Sequence, residues 1–501
     1  MTRTARTAVG GQGIGRRRFL RTLAGGMAAA PLARGLTVLA QGQTRPAQKR
    51  APRNLIFIVA DTFRADHLGC YGSTTVKTPN LDRFATEATL FTNAYADGLP
   101  TIPCRRVYHT GRSIVPMRKH GGWIPLKPGR KTLAQVLRRK GFVSSFIVDT
   151  YHHFKPGMNF HHGFQSWQWI RGQETDRWRS GPAHLVDPKK HMPAHLWSPG
   201  YDRNMRQYLM NTRDFKGEDD YFCARTFAAG LEWLKRNAGK RRLMLWLDTF
   251  DPHEPWDAPR RFQEMYFDKY PAERTMFGYG VRHGAIKPED LPFIRALYAA
   301  ECSFVDDRFG KLMEGIRKLG LLDDTAIVFT TDHGTHLGEE GCVQKTAALL
   351  NTCVARLPLL VRHPDPAFAG KRVDALVGGA DYMATLLDLL GVEHKLPLDG
   401  RSVWPVVRGE AEAVHDHVIT EFGPFAAVRD HQWAYFQNTR AKGSLGAEFV
   451  KQRAAAIGKG ARGVPHLYEL AKDPQEKANV VLEHPEVVGR MQELLKKRLV
   501  T

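Results

Sequence analysis

The stretch FTNAYADGLPTIPCRRVYHTGR, Phe91–Arg112, reads as a short strand (FTNAYA), a turn around Gly98 and Pro100, and a helix that opens near Thr101. A hydroxyl at a strand-to-helix turn stands at the positive end of a helix dipole, where unpaired backbone N–H groups face outward. Arg105 follows one helical turn later, so hydroxyl and guanidinium share a face. That combination suits a nucleophile attacking the centre of an anionic ester.

Working outward, three apolar runs lead into acids. Asn54–Ala60 (NLIFIVA) ends on Asp61, Leu243–Leu247 (LMLWL) runs into Asp248 through His253, and Thr325–Thr331 (TAIVFTT) ends on Asp332-His333. Continuous apolar runs of this length mark strands buried on both faces, as in a parallel sheet covered by helices. The carboxyl ends of such strands line one edge and form the ligand crevice, so the chain reads as α/β with its acids gathered there. Carboxylate oxygens with one imidazole suit a single divalent cation such as Ca, Mg, Mn or Zn.

The string TxPxRRxxxTGR, Thr101 to Arg112, resembles the nucleophile segment of the sulfatase family, Cys/Ser-x-Pro-x-Arg followed by Thr-Gly-Arg. DTFRADHLGCYG, TPNLDRFA and LYELAKDPQEKAN resemble further landmarks of the family, in family order, over most of residues 53–480. The resemblance implies an alkaline-phosphatase/sulfatase-like mixed sheet flanked by helices, with a smaller C-terminal α+β part. It implies Asp61, Asp332 and His333 as metal ligands, with Ca the family's usual ion, and puts Thr62 where a second carboxylate often stands. Arg105 would neutralise the ester's oxygens, His253 would be the general acid, and Lys345 a second anion clamp. Sulfatases usually carry a Lys-x-His pair after the strand that is Phe142–Val148 here. This chain has Asp149 near the Lys position, and His152 or His153 near the His. The main departure is Thr101 itself, because sulfatases oxidise a Cys or Ser there to formylglycine. Cys104 is out of register to replace it.

The implied function is an exported, metal-dependent hydrolase of phosphate or sulfate esters using Thr101 as nucleophile. The alternatives are a catalytically degenerate protein that binds anionic glycans, and a phosphoryl-group transferase. With 43% hydrophobic and 25% charged residues, the composition is that of a globular protein. A net charge of +22 favours anionic small-molecule or glycan partners. No basic run interleaved with aromatics points to nucleic acid, no segment reads as transmembrane, and the oligomeric state is not legible. Residues 1–40 carry Arg16-Arg17-Arg18-Phe19-Leu20-Arg21, the twin-arginine pattern, ahead of a short apolar run that Arg34 interrupts. The twin-arginine segment predicts a periplasmic or secreted protein, and the chain beyond it reads as a linker over 41–53, a catalytic domain over 54–410 and an antiparallel subdomain over 411–501. The six cysteines show no CxxC and no metal-ligand spacing and read mostly as buried thiols. The irregular, aromatic stretch 150–215 is expected to shape a substrate mouth.

Overall fold

Apolar runs with no polar alternation form the middle of an eight-stranded sheet in the computed structural model, which describes residues 51–117, 122–240, 242–268, 274–281, 283–440, 446–453 and 464–500. The twin-arginine segment lies outside these residues. The strands are β1 Asn54–Ala60, β2 Thr89–Tyr95, β3 Gly98–Leu99, β4 Val143–Val148, β5 Ser166–Trp169, β6 Leu243–Thr249, β7 Thr325–Thr330, β8 His336–Leu337, β9 Val343–Gln344, β10 Arg356–Arg362 and β11 Arg372–Gly378. The large sheet has the order β11-β2-β10-β7-β1-β6-β4-β5, with β10 antiparallel to both its neighbours and the rest parallel. Asn54 ties the amino ends of its three central strands, donating to Thr325 Oγ1 (3.2 Å) and accepting from Leu243 N–H (2.8 Å).

The two-residue period of a strand divides the core into two layers. Phe57, Val59, Val148 and Trp246 face the layer that holds α2, Thr101–Thr110, with its Ile102 and Cys104. Ile56, Ile58, Ile147, Leu245 and Leu247 face the other layer, covered by helices Phe222–Asn237 and Leu291–Lys318. Each such fully buried Ile, Leu or Phe contributes roughly 1.5–3 kcal/mol.

α2 begins at Thr101 and ends at Thr110, with Gly111 at φ +59° closing it through a 2.8 Å bond from its N–H to Val107 O. A Cβ on Gly111 would come within 2.8 Å of Leu398 and 3.0 Å of Met383, so the site needs glycine for both conformation and space. The remaining strands, β12 Val418–Phe422, β13 Phe425–Arg429, β14 Trp433–Asn438 and β15 His466–Glu469, form a second sheet with β3 at its edge. β3 is the two-residue strand immediately before Pro100 and Thr101. It runs parallel to β12 with Gly98 opposite Glu421 and Leu99 opposite Phe422. Glu421 N–H to Asp97 O (2.9 Å) and Thr420 Oγ1 to Ala96 O (2.6 Å) continue the seam. The last helix, Pro485–Val500, packs Met491 and Leu495 on this sheet.

The aromatic stretch is more ordered than its composition suggests. Helix Pro199–Thr212 runs through it, capped by Ser198, whose hydroxyl accepts from Tyr201 N–H at 3.0 Å. Trp178 and Trp197 are partly buried and pack on the core layer, while Trp167 is 51% exposed. All six cysteines are free thiols, and Cys104, Cys223 and Cys302 are buried. No helix among the described residues is long and apolar enough to cross a membrane.

Candidate metal and ester site

Four adjacent strands, β7, β1, β6 and β4, deliver Asp332, Asp61, Asp248 and Asp149 to one edge of the sheet. The central strand β1 has its sequence neighbours elsewhere, so its carboxyl end is a topological switch point where a crevice forms. Asp61, Asp332 and His333 bring one ligand atom each within 4.8 Å of one another, all buried.

Each of the three is oriented by local bonds. Thr62 has φ +65°, a conformation that strains a β-branched residue by about 1–3 kcal/mol. It acts as a buckle between the two acids. Its N–H donates to Asp332 Oδ1 (3.0 Å), its hydroxyl to Asp61 Oδ1 (2.6 Å), and its carbonyl accepts from Tyr298 Oη (2.7 Å). His333 Nδ1 donates to Gly334 O (2.9 Å), which leaves Nε2 with its lone pair, 3.3 Å from Asp332 Oδ2. Neither His333 Nε2 nor Asp61 Oδ2 has a hydrogen-bond partner.

Arg105 reaches up from α2 into these acids and is completely buried. Its Nε and Nη2 donate to Asp248 (3.0 and 2.8 Å), and its Nη1 donates to Asp332 Oδ2 and lies 3.1 Å from Asp61 Oδ2. Three buried carboxylates thus surround one buried guanidinium. The unpartnered His333 Nε2 and the convergent carboxylates fit a divalent cation held by Asp61, Asp332 and His333. Burial, then Asp332, holds the Asp61 carboxyl well above the usual range. Asp332, equally buried, is held below it because Arg105 and His333 face it. Burial draws His333 down to about 4, with Lys345 and Arg105 adding and Asp332 opposing.

Thr101, the first residue of α2, is 2% exposed and lies one turn before Arg105 on the same helical face. His253 donates from Nδ1 to Glu254 O (2.7 Å), so its Nε2 accepts, with Lys345 Nζ at 2.7 Å and Tyr279 Oη at 2.8 Å. Burial, then the Lys345 charge, pushes His253 well below its ordinary value, which favours the neutral ring. His152 pairs with Glu174 at 3.0 Å. His153 lies deeper, its Nε2 3.7 Å from Asp248. Asp149 faces the opposite layer, accepting from Thr226 Oγ1 (2.9 Å), Thr249 Oγ1 (3.1 Å) and Phe250 N–H.

Five of the nine residues singled out from sequence form one contact cluster. Asp61, Thr62, Arg105, Asp332 and His333 are in mutual contact. His253 and Lys345 form a second contact pair, Thr101 stands above Arg105, and His152 pairs with Glu174. Sequence reasoning gave no task to Asp248, and missed Tyr279, Glu174 and the buried Glu254, whose Oε1 lies 3.9 Å from Lys345. Glu254 had one signal, its place in the string Asp251-Pro252-His253-Glu254-Pro255.

Comparison with known proteins follows this geometry. The family model described as Sulfatase matches residues 53–392, and that for the C-terminal part of N-sulphoglucosamine sulphohydrolase matches 338–501. The chain belongs to the sulfatase family, a family of ester hydrolases. It is 24% identical to the N-acetylglucosamine-6-O-sulfatase of Bacteroides thetaiotaomicron over 418 residues, 72% of each chain. The arylsulfatase of Clostridium perfringens is 22% identical, covering 89% of this chain and 94% of that one. The crystal structure of the phosphonate monoester hydrolase of Agrobacterium radiobacter superposes with a TM-score of 0.69 at 23% identity, over 89% of this chain and 95% of that one.

Proposed function

We propose that the chain is an exported, divalent-metal-dependent hydrolase that cleaves phosphate or sulfate esters through Thr101. The observation that carries this reading is the position of Thr101 at the start of α2, one turn before Arg105, whose guanidinium reaches Asp61 and Asp332 beside His333. Support comes from two sides of the family, since one relative is named as a sugar 6-O-sulfatase and a structural neighbour as a phosphonate monoester hydrolase.

A divalent ion held by Asp61, Asp332 and His333 would supply Lewis-acid stabilisation of the ester oxygens and would lower the pKa of a nearby hydroxyl. Its oxygen-rich donor set suits Ca, Mg or Mn, and the imidazole admits Zn. Thr101 Oγ1 attacks the phosphorus or sulfur; the Thr–O bond to that centre forms as the ester oxygen leaves. His253 Nε2 faces Lys345, so the leaving oxygen receives a proton that Lys345 supplies through or beside the ring. Arg105, always charged, steadies the charge that gathers on the equatorial oxygens. Water then attacks the same centre and frees Thr101. A threonine ester has no C–O cleavage route of the formylglycine kind, and phosphoryl centres accept such in-line attack, so phosphoesters are the favoured substrates. Export along the twin-arginine route, on the evidence of Arg16–Arg21, completes the reading and is checked by cell fractionation.

The test is turnover of aryl phosphate, bis-aryl phosphate, an aryl phosphonate monoester and aryl sulfate with Ca, Mg, Mn and Zn, for the natural chain and for Thr101→Ala. Phosphoester turnover that falls by about a thousandfold or more in Thr101→Ala is expected, the scale of losing a covalent nucleophile. Ester release that survives Thr101→Ala would sink the nucleophile. No turnover despite metal binding would identify an anionic-glycan binder instead.

A further inference from the structure

At the far end of α2 the chain keeps a set of cations that the ester site does not use. The turn Lys127-Pro128-Gly129-Arg130 is closed by Arg130 N–H donating to Lys127 O at 2.9 Å. It projects Lys127, Arg130 and Lys131, all exposed, around a hollow of about 380 Å³. The floor is Thr110 and Arg112 at the end of α2 together with Leu396, Pro397 and Leu398. Leu396 and Leu398 also belong to an adjoining hollow of about 870 Å³, edged by Lys140, Lys395 and Arg401.

None of these six exposed cations is within ion-pair distance of a carboxylate among the described residues, although acids are near. Asp399 is taken by Arg112 at 3.0 Å, and Asp388 by Arg408 at 3.2 Å and Ser402 at 2.5 Å. Glu393 is left alone against six positive charges. Elsewhere some exposed lysines find acids, as in Lys235–Glu232 (2.6 Å), Lys311–Asp307 (3.5 Å) and Lys318–Glu314 (2.5 Å). Exposed Lys77, Lys190, Lys216 and Lys240 lack such a partner among the described residues but line neither hollow. Behind the hollow, Arg106 donates only to the carbonyls of Ile124 and Pro125 at 3.1 Å. Such a face raises the local concentration of anions and gains by releasing the counterions of a polyanion.

We propose that this face is a docking site for a polyanionic polysaccharide, a sulfated or phosphorylated glycan chain, distinct from the ester site. The ligand must be a polymer because the cations line two adjoining hollows rather than converge on one point. No Phe, Tyr or Trp lines either hollow, so the stacking that single-stranded nucleic acid uses is missing there. The exposed large apolar side chains, Trp167, Leu185, Met265 and Leu482, are not part of this face, which is concave, and both features disfavour a membrane. α2 is ten residues long, about 15 Å, and links the hollow to Thr101, so one chain of sugars reaches both. The inference does not depend on which ester is cleaved.

The experiment measures binding of dextran sulfate to the full chain as a function of salt, with neutral dextran as control. Lys127→Ser/Arg130→Ser/Lys131→Ser is compared with Lys235→Ser/Lys311→Ser/Lys318→Ser, which removes equal charge from paired lysines. The first triple is expected to lose at least tenfold in affinity and to flatten the slope of log affinity against log salt by about 2–3. The second is expected to stay within twofold, and both to keep the aryl-ester turnover of the natural chain. Equal losses in both triples, or unchanged binding in the first, would overturn the site. Tighter binding of phosphatidylserine vesicles or of single-stranded DNA than of dextran sulfate at the same salt would overturn its ligand class.

Discussion

Asp248 and Asp149 end neighbouring strands of one sheet and are both completely buried, yet they are held in opposite ways. Asp248 continues the parity of Met244 and Trp246 and so points into the α2 layer, where it meets the Arg105 guanidinium at 2.8–3.2 Å. Asp149 continues the parity of Ile147 and points the other way, to two hydroxyls and a backbone N–H. Neutral donors offset only part of the cost of burial, so the Asp149 carboxyl is pushed up to about 7. The difference shows where the fold concentrates charge. On the α2 side three acids surround one guanidinium; one residue of parity away, the same side chain meets only neutral donors and works as a brace between β4 and β6.

Three substitutions break or sharpen this contrast. Arg105→Met has the largest expected effect, because it strands Asp61, Asp248 and Asp332 without a guanidinium. A loss of about 3–5 kcal/mol in denaturant unfolding is expected, and added divalent cation should restore more stability to the variant than to the natural chain. Little destabilisation would mean that the three acids are not ionised together.

Asp149→Asn should act through pH. The native state keeps a proton on Asp149 up to about 7 that the unfolded chain sheds near 4, so stability from this group is greatest at low pH and falls as pH rises through 7. Between pH 5 and 8 the variant should lose less stability than the natural chain, by on the order of 1–3 kcal/mol, in thermal melts across pH. Parallel melting curves for the two proteins would contradict the neutral brace. Thr226→Val should be smallest: it removes one 2.9 Å donor, costs about 1 kcal/mol, and pushes the Asp149 titration higher still. A stability loss that is the same at pH 5 and pH 8 would place the hydroxyl's effect in packing instead.

Much of this arrangement is visible in the sequence because its signals are local. NLIFIVA followed by Asp61, and TAIVFTT followed by Asp332-His333, announce buried strands that end in the acids and imidazole of the crevice. Thr101 with Gly111 brackets α2 to the residue. What stayed hidden depends on parity or on distance along the chain. Asp248 was visible as an acid, but its capture by Arg105 follows from register across β1, β6 and β4. His152 and His153 were indistinguishable until the short turn after β4 sent one to Glu174 and the other beneath Asp248. Tyr279 and Glu174 arrive from distant loops, and no spacing marks them. Helix Pro199–Thr212 did have a local signal, Ser198-Pro199, which the surrounding tryptophans obscured.

The pairing of β3 with β12 ties the start of α2 to the far end of the chain. Gly98 and Leu99, immediately before Pro100 and Thr101, take their strand partner from residues 421 and 422. The small second sheet is thus part of the frame of the large one, and a change at the edge of β12 is felt at the turn before Thr101 although the two are remote in sequence.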